Sequence, residues 1–278
     1  MAMRKRTLSR GWYPVSADQC NREIEEFLRG FTPPAGMWIA AVVPHAGWFF
    51  SGKAAARAIG TLATSSKPDR IVIFGGHLGG GQESIVYPED WWENPLGPHP
   101  MDSRLAAELV AEGHAIPATS RFQDNTVEIQ IPLIRKFFPD TPLLALHPPA
   151  SLEAVRTAET VWELLKSKGL KALYIGSADL THYGPNYGFF PHGIGEQAVR
   201  WVKEENDASL IKRAITMDTE AVLSEARQKH NTCSAGAIVS VIAVAARHGV
   251  REGRLLEYYT SYDVMGDNSF VGYAAIVY

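Results

Sequence analysis

MWIAAVVPHAGWFFSGKAAARAIGTLAT, residues 37–64, decides the fold. MWIAAVV (37–43) is a run of small and β-branched apolar residues, as expected of a strand covered on both faces. Pro44 stops the run, His45 follows at once, and Gly47 turns the chain toward an alanine-rich helix that this reading starts at a Ser51 cap. Strand, polar turn and helix make one unit, and the chain repeats it. RIVIFG (70–75) runs into the glycine-rich GGHLGGG, PLLALHP is a short strand, and KALYIG (171–176) is another. ESIVY (83–87) reads as a strand too, and SLEAVRTAETVWELLKSKG as an amphipathic helix closed by Gly169.

Between these lie a helix from Met101 to Glu112 and an ambiguous stretch, TVEIQIPLIRKFF (126–138), in which Pro132 allows a kink or a late start. Helices are expected at 194–214, 218–229 and 233–247. RLLEYYTSYDV, a turn at MGDN, and SFVGYAAIVY read as a closing hairpin. Strands alternating with helices predict a three-layer α/β/α sandwich with a mixed central sheet, in one domain spanning residues 1–278.

Composition narrows the functional classes. The chain has 278 residues, 46% hydrophobic and 21% charged, with a net charge of −3 and no basic tract. Nucleic acid is therefore not an expected partner. No 18-residue apolar stretch is present, so no membrane span is expected, and the N-terminus lacks a signal-peptide core. Two cysteines, Cys20 and Cys233, exclude a disulfide framework and point to a cytoplasmic thiol protein.

Polar residues gather where the strands end. His45 comes two residues after the first strand, His77 three residues after IVIF, and Asp179 and His182 just after LYIG in SADLTHYG. Open α/β sheets bind ligands beyond the carboxyl ends of their strands, so these groups point to one shared site. Cys233 begins an apolar helix, where the helix N-terminus favours a thiolate. Two imidazoles and a thiolate suit zinc, copper or iron, and poorly suit magnesium or calcium. Each residue also has a plain reading. A lone strand-end histidine more often caps backbone than binds metal, a buried cysteine is usually a small hydrophobe, and Asp-x-x-His often serves a turn.

Several motifs together resemble the Memo family, whose bacterial and archaeal members are called AmmeMemoRadiSam system protein B. GWYPVSADQCNREIEEFL is similar to the family's opening segment, VVPHAGWFFSG to its PHAG motif, and FGGHLGG to its strand-end histidine. SADLTHYG and TSYDVMGDNSFVGYAAIVY are similar to its remaining two motifs. The resemblance implies the fold of class III extradiol dioxygenases, which cleave catechols with non-haem Fe(II). It implies His45, His77 and Cys233 as metal ligands, Fe(II) as the metal with copper or zinc as alternatives, and His182 with Asp179 as acid/base.

It also implies a small-molecule substrate and O₂, and radical-SAM and other AmmeMemoRadiSam system proteins as partners. Glu128, Asn125, Trp48 and Tyr183 are the expected substrate-contacting residues, with Trp91 and Trp92 as further candidate walls. Asn125 replaces the histidine of the family's E-H-S-x-E, and Trp48 its commoner tyrosine. Two other functions fit the same residues, a non-catalytic module binding a peptide or partner in the cleft and a zinc hydrolase.

Overall fold

The computed structural model describes residues 1–65 and 67–278. Its central sheet is built on four parallel strands, β1 (Ala40–Val43), β2 (Arg70–Phe74), β5 (Leu143–His147) and β6 (Ala172–Ser177), in the order β1-β6-β2-β5. Beyond β5 lie β3 (Ile85–Val86), antiparallel to it, and β4 (Ile116–Pro117). Beyond β1 the sheet continues with β9 (Phe270–Val277), antiparallel to β1, and then β8 (Arg254–Thr260). The two-residue β7 (His182–Tyr183) pairs with the start of β9. The sheet is mixed, as expected.

The parallel strands alternate between two cores, which is why they read as unbroken apolar runs. Ala40, Val42, Val72, Phe74 and Tyr174 face one layer of helices, α6 (Leu152–Ser167), α8 (Asp207–Ile215) and α10 (Ala235–Arg247) among them. Ala41, Val43, Ile71, Ile73 and Ile175 face α1 (Ala17–Leu28), α2 (Trp48–Ala63) and α5 (Ile131–Phe137) on the other side. Trimming any of these large side chains to alanine is expected to cost about 2–5 kcal/mol. Gly176 allows α10 to lie directly on β6. A Cβ there would stand 2.7 Å from the Ala237 carbonyl oxygen.

The remaining helices are α3 (Ser103–Ala111), α4 (Asn125–Glu128), α7 (Glu196–Trp201), α9 (Thr219–Lys229) and α11 (Ser261–Val264). Three local expectations need correction, and one ambiguity, at 126–138, is resolved as a late helix start. The Ser51 cap does not exist, because α2 starts a turn earlier behind Gly47, and the Ser51 hydroxyl donates to the Ala46 carbonyl from inside the helix. The 126–138 stretch divides into α4 and α5, with Pro132 in the first turn of α5, where its missing N–H costs nothing. The helix expected over 194–214 starts at Glu196 and is interrupted by a π turn, Val202–Asn206, after which Asn206 and Asp207 both bond Thr181. The hairpin strand expected through Val264 ends at Thr260. A capping box between Thr260 and Asp263 turns SYDV into helix α11.

Neighbouring parallel strands end side by side. Because β6 lies between β1 and β2, the loops carrying His45, Asp179 with His182, and His77 emerge next to one another. The start of α10 packs onto the same edge, where the Cys233 N–H donates to the Asp179 carbonyl at 3.3 Å.

Candidate metal centre

His45 is buried just past β1 and fixed on all sides. Its N–H donates to Asp179 Oδ1 at 2.6 Å, its carbonyl accepts from Asn125 Nδ2 at 3.2 Å, and its Nδ1 lies 3.4 Å from Ser177 Oγ. The free nitrogen, Nε2, lies 3.3 Å from Cys233 Sγ. His77 stands perpendicular to it, with ring centroids 5.3 Å apart, and its Nδ1 meets Asp124 Oδ2 at 3.0 Å. Asp124 is held in turn by Thr126, whose N–H donates to its Oδ1 at 2.8 Å and whose hydroxyl accepts from the Gly76 N–H at 2.7 Å. One ligand atom each from His45, His77 and Cys233 lies within 4.8 Å of the others.

The electrostatics of this corner are those of a site built around positive charge. Burial opposes the His45 imidazolium, but Asp179 and Cys233 outweigh it and push the pKa up to about 9. Burial also opposes charge on His77, which its hydrogen bonds to Asp124 and Cys233 push up to about 10. Burial works against the Cys233 thiolate, yet the facing His45 and His77 hold the thiol well below its usual range. Asp179 is raised by burial, with His45 and His182 pulling the other way. A divalent cation would replace the shared protons, since metal binding and proton release are linked.

The cleft above these atoms has a volume of about 390 Å³, within the range of small-molecule sites. His45, His77, Asn125, Asp179 and His182 line it. The His182 Nε2 lies 3.9 Å from Asp179 Oδ2, and its ring packs on Tyr187 with centroids 5.0 Å apart. A second cavity of about 540 Å³ meets the first at His182 and Tyr187 and reaches Cys233.

Other expected contacts lie elsewhere. Glu128 is buried, its carboxylate accepts from Thr7, Leu8 and Tyr13, and it fastens the N-terminal segment away from the residues that line the cleft. Trp48 points into the core from the first turn of α2, donating to the Ile129 carbonyl at 3.2 Å. Tyr183 is buried in a stack on Phe270, because β7 alternates its side chains and His182 takes the cleft side. Trp91 and Trp92 belong to a small sheet with Met3–Arg4 and His99–Pro100.

The walls are instead Trp12, Phe50, Tyr187 and Tyr273. Asp124 and Ser177, outside the expected set, are the groups that meet the imidazoles at Nδ1. Asp124 reads from sequence only as a helix cap, which it also is, with the other oxygen left over for His77. His147 sits behind the site, with Nε2 3.1 Å from Tyr87 Oη and Nδ1 4.0 Å from Asp124. His192 stacks on Trp201.

The residues present fit a first-row transition metal. Ligands at about 2.0–2.3 Å from a tetrahedral ion lie roughly 3.3–3.8 Å from one another, close to the 3.3 Å between His45 and Cys233. Each imidazole is engaged at Nδ1, as the second nitrogen of a metal-bound histidine usually is, and His45 turns Nε2 toward Cys233.

Comparison with known proteins places nearly the full chain in one family. The profile of the Memo-like protein family matches residues 4–277. A MEMO1 family protein of Pyrococcus abyssi is 32% identical, over 95% of this chain and 98% of its own. One from Methanococcoides burtonii is 32% identical over 99% of both. The crystal structure of an uncharacterized protein from Escherichia coli K12 superposes with a TM-score of 0.51 at 15% identity, covering 85% of this chain and 99% of that one, a likeness of fold alone. The chain belongs to the Memo family.

Proposed function

We propose that this Memo protein is a non-haem Fe(II)-dependent oxygenase of the extradiol type, acting on a small electron-rich substrate in the cleft. One observation carries the reading: two imidazoles, engaged at Nδ1 by Asp124 and Ser177, each bring a ligand atom within 4.8 Å of Cys233 Sγ beneath an open cleft. His45, His77 and Cys233 would hold the iron, which supplies the electron transfer to O₂ that no side chain provides. The protein's own groups do the rest.

His182 accepts a proton from a substrate hydroxyl through the ring nitrogen turned away from Asp179 and returns it later. Asp179 steadies that ring and fixes the His45 backbone at the same time. Trp12, Phe50 and Tyr273 give the substrate an aromatic wall and keep water from the floor.

The test is reconstitution of the apoprotein with Fe(II) under nitrogen, followed by nitric oxide and electron paramagnetic resonance. A high-spin iron–nitrosyl signal that sharpens with a catechol is the expected result, together with catechol-dependent O₂ uptake. Silence with iron demonstrably bound would mean closed coordination and overturn the proposal in favour of a binding module. His182→Ala is expected to keep its iron and lose about 100-fold or more in O₂ uptake.

A further inference from the structure

Away from the histidines at its floor, the cleft's charged groups are acidic. Among the described residues that line it there is no lysine or arginine, and its carboxylates are Asp179 and Asp267. Asp179 is spent at the floor, accepting the His45 N–H through Oδ1 and facing His45 and His182 through Oδ2. Asp267 is exposed in the loop between α11 and β9. Its Oδ1 accepts the Ser269 N–H at 3.2 Å, and no cation stands within ion-pair distance of it among the described residues. Asp263, four residues back, is by contrast paired with Lys203.

Around Asp267 the wall is aromatic and soft, made by Trp12, Phe50, Tyr187, Tyr273 and Met265. Burial, then Asp179 and Asp267, push the Tyr187 hydroxyl upward, so the Asp267 carboxylate is felt inside the cleft. Aromatic faces beside one unpaired carboxylate attract an organic cation, through the ring quadrupole and through direct charge. A carboxylate tail seated beside exposed Asp267 would meet like charge there, because the imidazoles of the lining stand at the floor and no cation pairs with Asp267 among the described residues.

We infer that the cleft selects an aromatic substrate carrying an ammonium group on its side chain, with Asp267 as the counter-ion. This rests on the oxygenase reading for where the ring diol sits, and on the lining alone for the charge. Asp267 is thus a specificity-determining residue. Its substitution by asparagine preserves an acceptor for Ser269 while removing the charge.

The experiment is calorimetric titration of the iron-loaded protein under nitrogen with three catechols that share a two-carbon tail and differ in its terminal group, ammonium, none or carboxylate: dopamine, ethylcatechol and dihydrocaffeate. Dopamine is expected to bind about fivefold more tightly than ethylcatechol, the scale of one exposed ion pair with a cation–π contribution, and dihydrocaffeate most weakly. In Asp267→Asn the advantage of dopamine over ethylcatechol is expected to vanish. Equal affinities for the three ligands, or an advantage that survives in the variant, overturns the inference. Phenethylamine, which has no diol, separates this result from the oxygenase reading. If the diol adds nothing but phenethylamine binds and weakens in Asp267→Asn, the oxygenase reading fails and the ammonium site stands. If neither dopamine nor phenethylamine binds, the ammonium site is refuted.

Discussion

The two ends of the parallel strands carry cavities of similar size and opposite character. At the carboxyl ends lies the cleft of about 390 Å³ over His45, His77 and Cys233. At the amino ends a larger one, about 510 Å³, is lined by Ile39, Trp162, Leu165, Tyr174 and His248. Volume and apolar surface favour the second as a container. Chemistry favours the first, because the lining of the second holds no carboxylate or thiol, and the Trp162 indole N–H donates to the one imidazole, at His248 Nε2, over 3.2 Å. A histidine becomes reactive through its partners. His45 and His77 meet acceptors at Nδ1 and a thiol at the other face, whereas His248 meets an indole.

The comparison breaks most directly at the ligands. His45→Ala, His77→Ala and Cys233→Ala are each expected to lose at least 100-fold in iron affinity, measured by metal analysis of folded protein prepared anaerobically. Losing one of three protein ligands leaves too little of the shell to retain the ion. Stoichiometric iron in any of these variants would show that the corner is an ordinary hydrogen-bonded cluster. Asp124→Asn tests the next layer out. It keeps the helix cap but weakens the acceptor that sets the His77 ring, so metal affinity should fall about 10–100-fold in a chelator competition.

How much of this was readable beforehand follows from where the information resides. Period and apolar runs express burial, so RIVIF, LYIG and the helix at 152–167 are legible as residues alone. His45, His77 and Asp179 are legible because strand ends in an α/β sheet converge by topology. Tertiary partners are not. Glu128 reads as a functional acid in DNTVE, yet its oxygens go to Thr7, Leu8 and Tyr13, more than a hundred residues away in sequence. Trp48 and Tyr183 lie off the cleft for a second reason: each adjoins a cleft-lining residue, Gly47 or His182, but one step along a strand reverses the face and one step along a helix turns it by about 100°. The aromatic walls are supplied in part by Trp12 and Tyr187, neighbours in space only.

His99 shows what a buried histidine does without partners. It has no side-chain partner for either ring nitrogen among the described residues, and burial, with Arg135 nearby, pushes its pKa down to about 3. The unfolded value is about 6.5, so below it the unfolded chain binds the extra proton. The stability contribution is fully present above pH 6.5 and is lost as pH falls toward 3. Between pH 7 and pH 5 the loss should be about 2 kcal/mol. Urea midpoints of wild type and His99→Gln over that interval check it. The variant should start lower and fall less, and parallel curves would refute the neutral buried state. His147, pushed by burial down to about 4, adds a slope of the same sign to both proteins.

The smallest expected effect is at the other end of the sheet, and there the absence of a consequence is informative. His248 is exposed at the end of α10, and its contacts are the hydrogen bond from Trp162 and the ring packing beside Trp162 and Tyr174. Removing a partly exposed hydrogen bond of this kind costs about 0.5–1.5 kcal/mol, since water replaces the lost acceptor. His248→Ala should therefore lower the urea midpoint slightly and leave iron content and the nitrosyl spectrum unchanged. The two ends share α10, which begins beside Cys233 and ends at His248. If His248→Ala did alter metal binding, strain would have to travel along that helix, and the separation between a chemical end and a packing end would collapse. An unchanged spectrum with a shifted midpoint would instead fix the boundary between the two regions within the length of one helix.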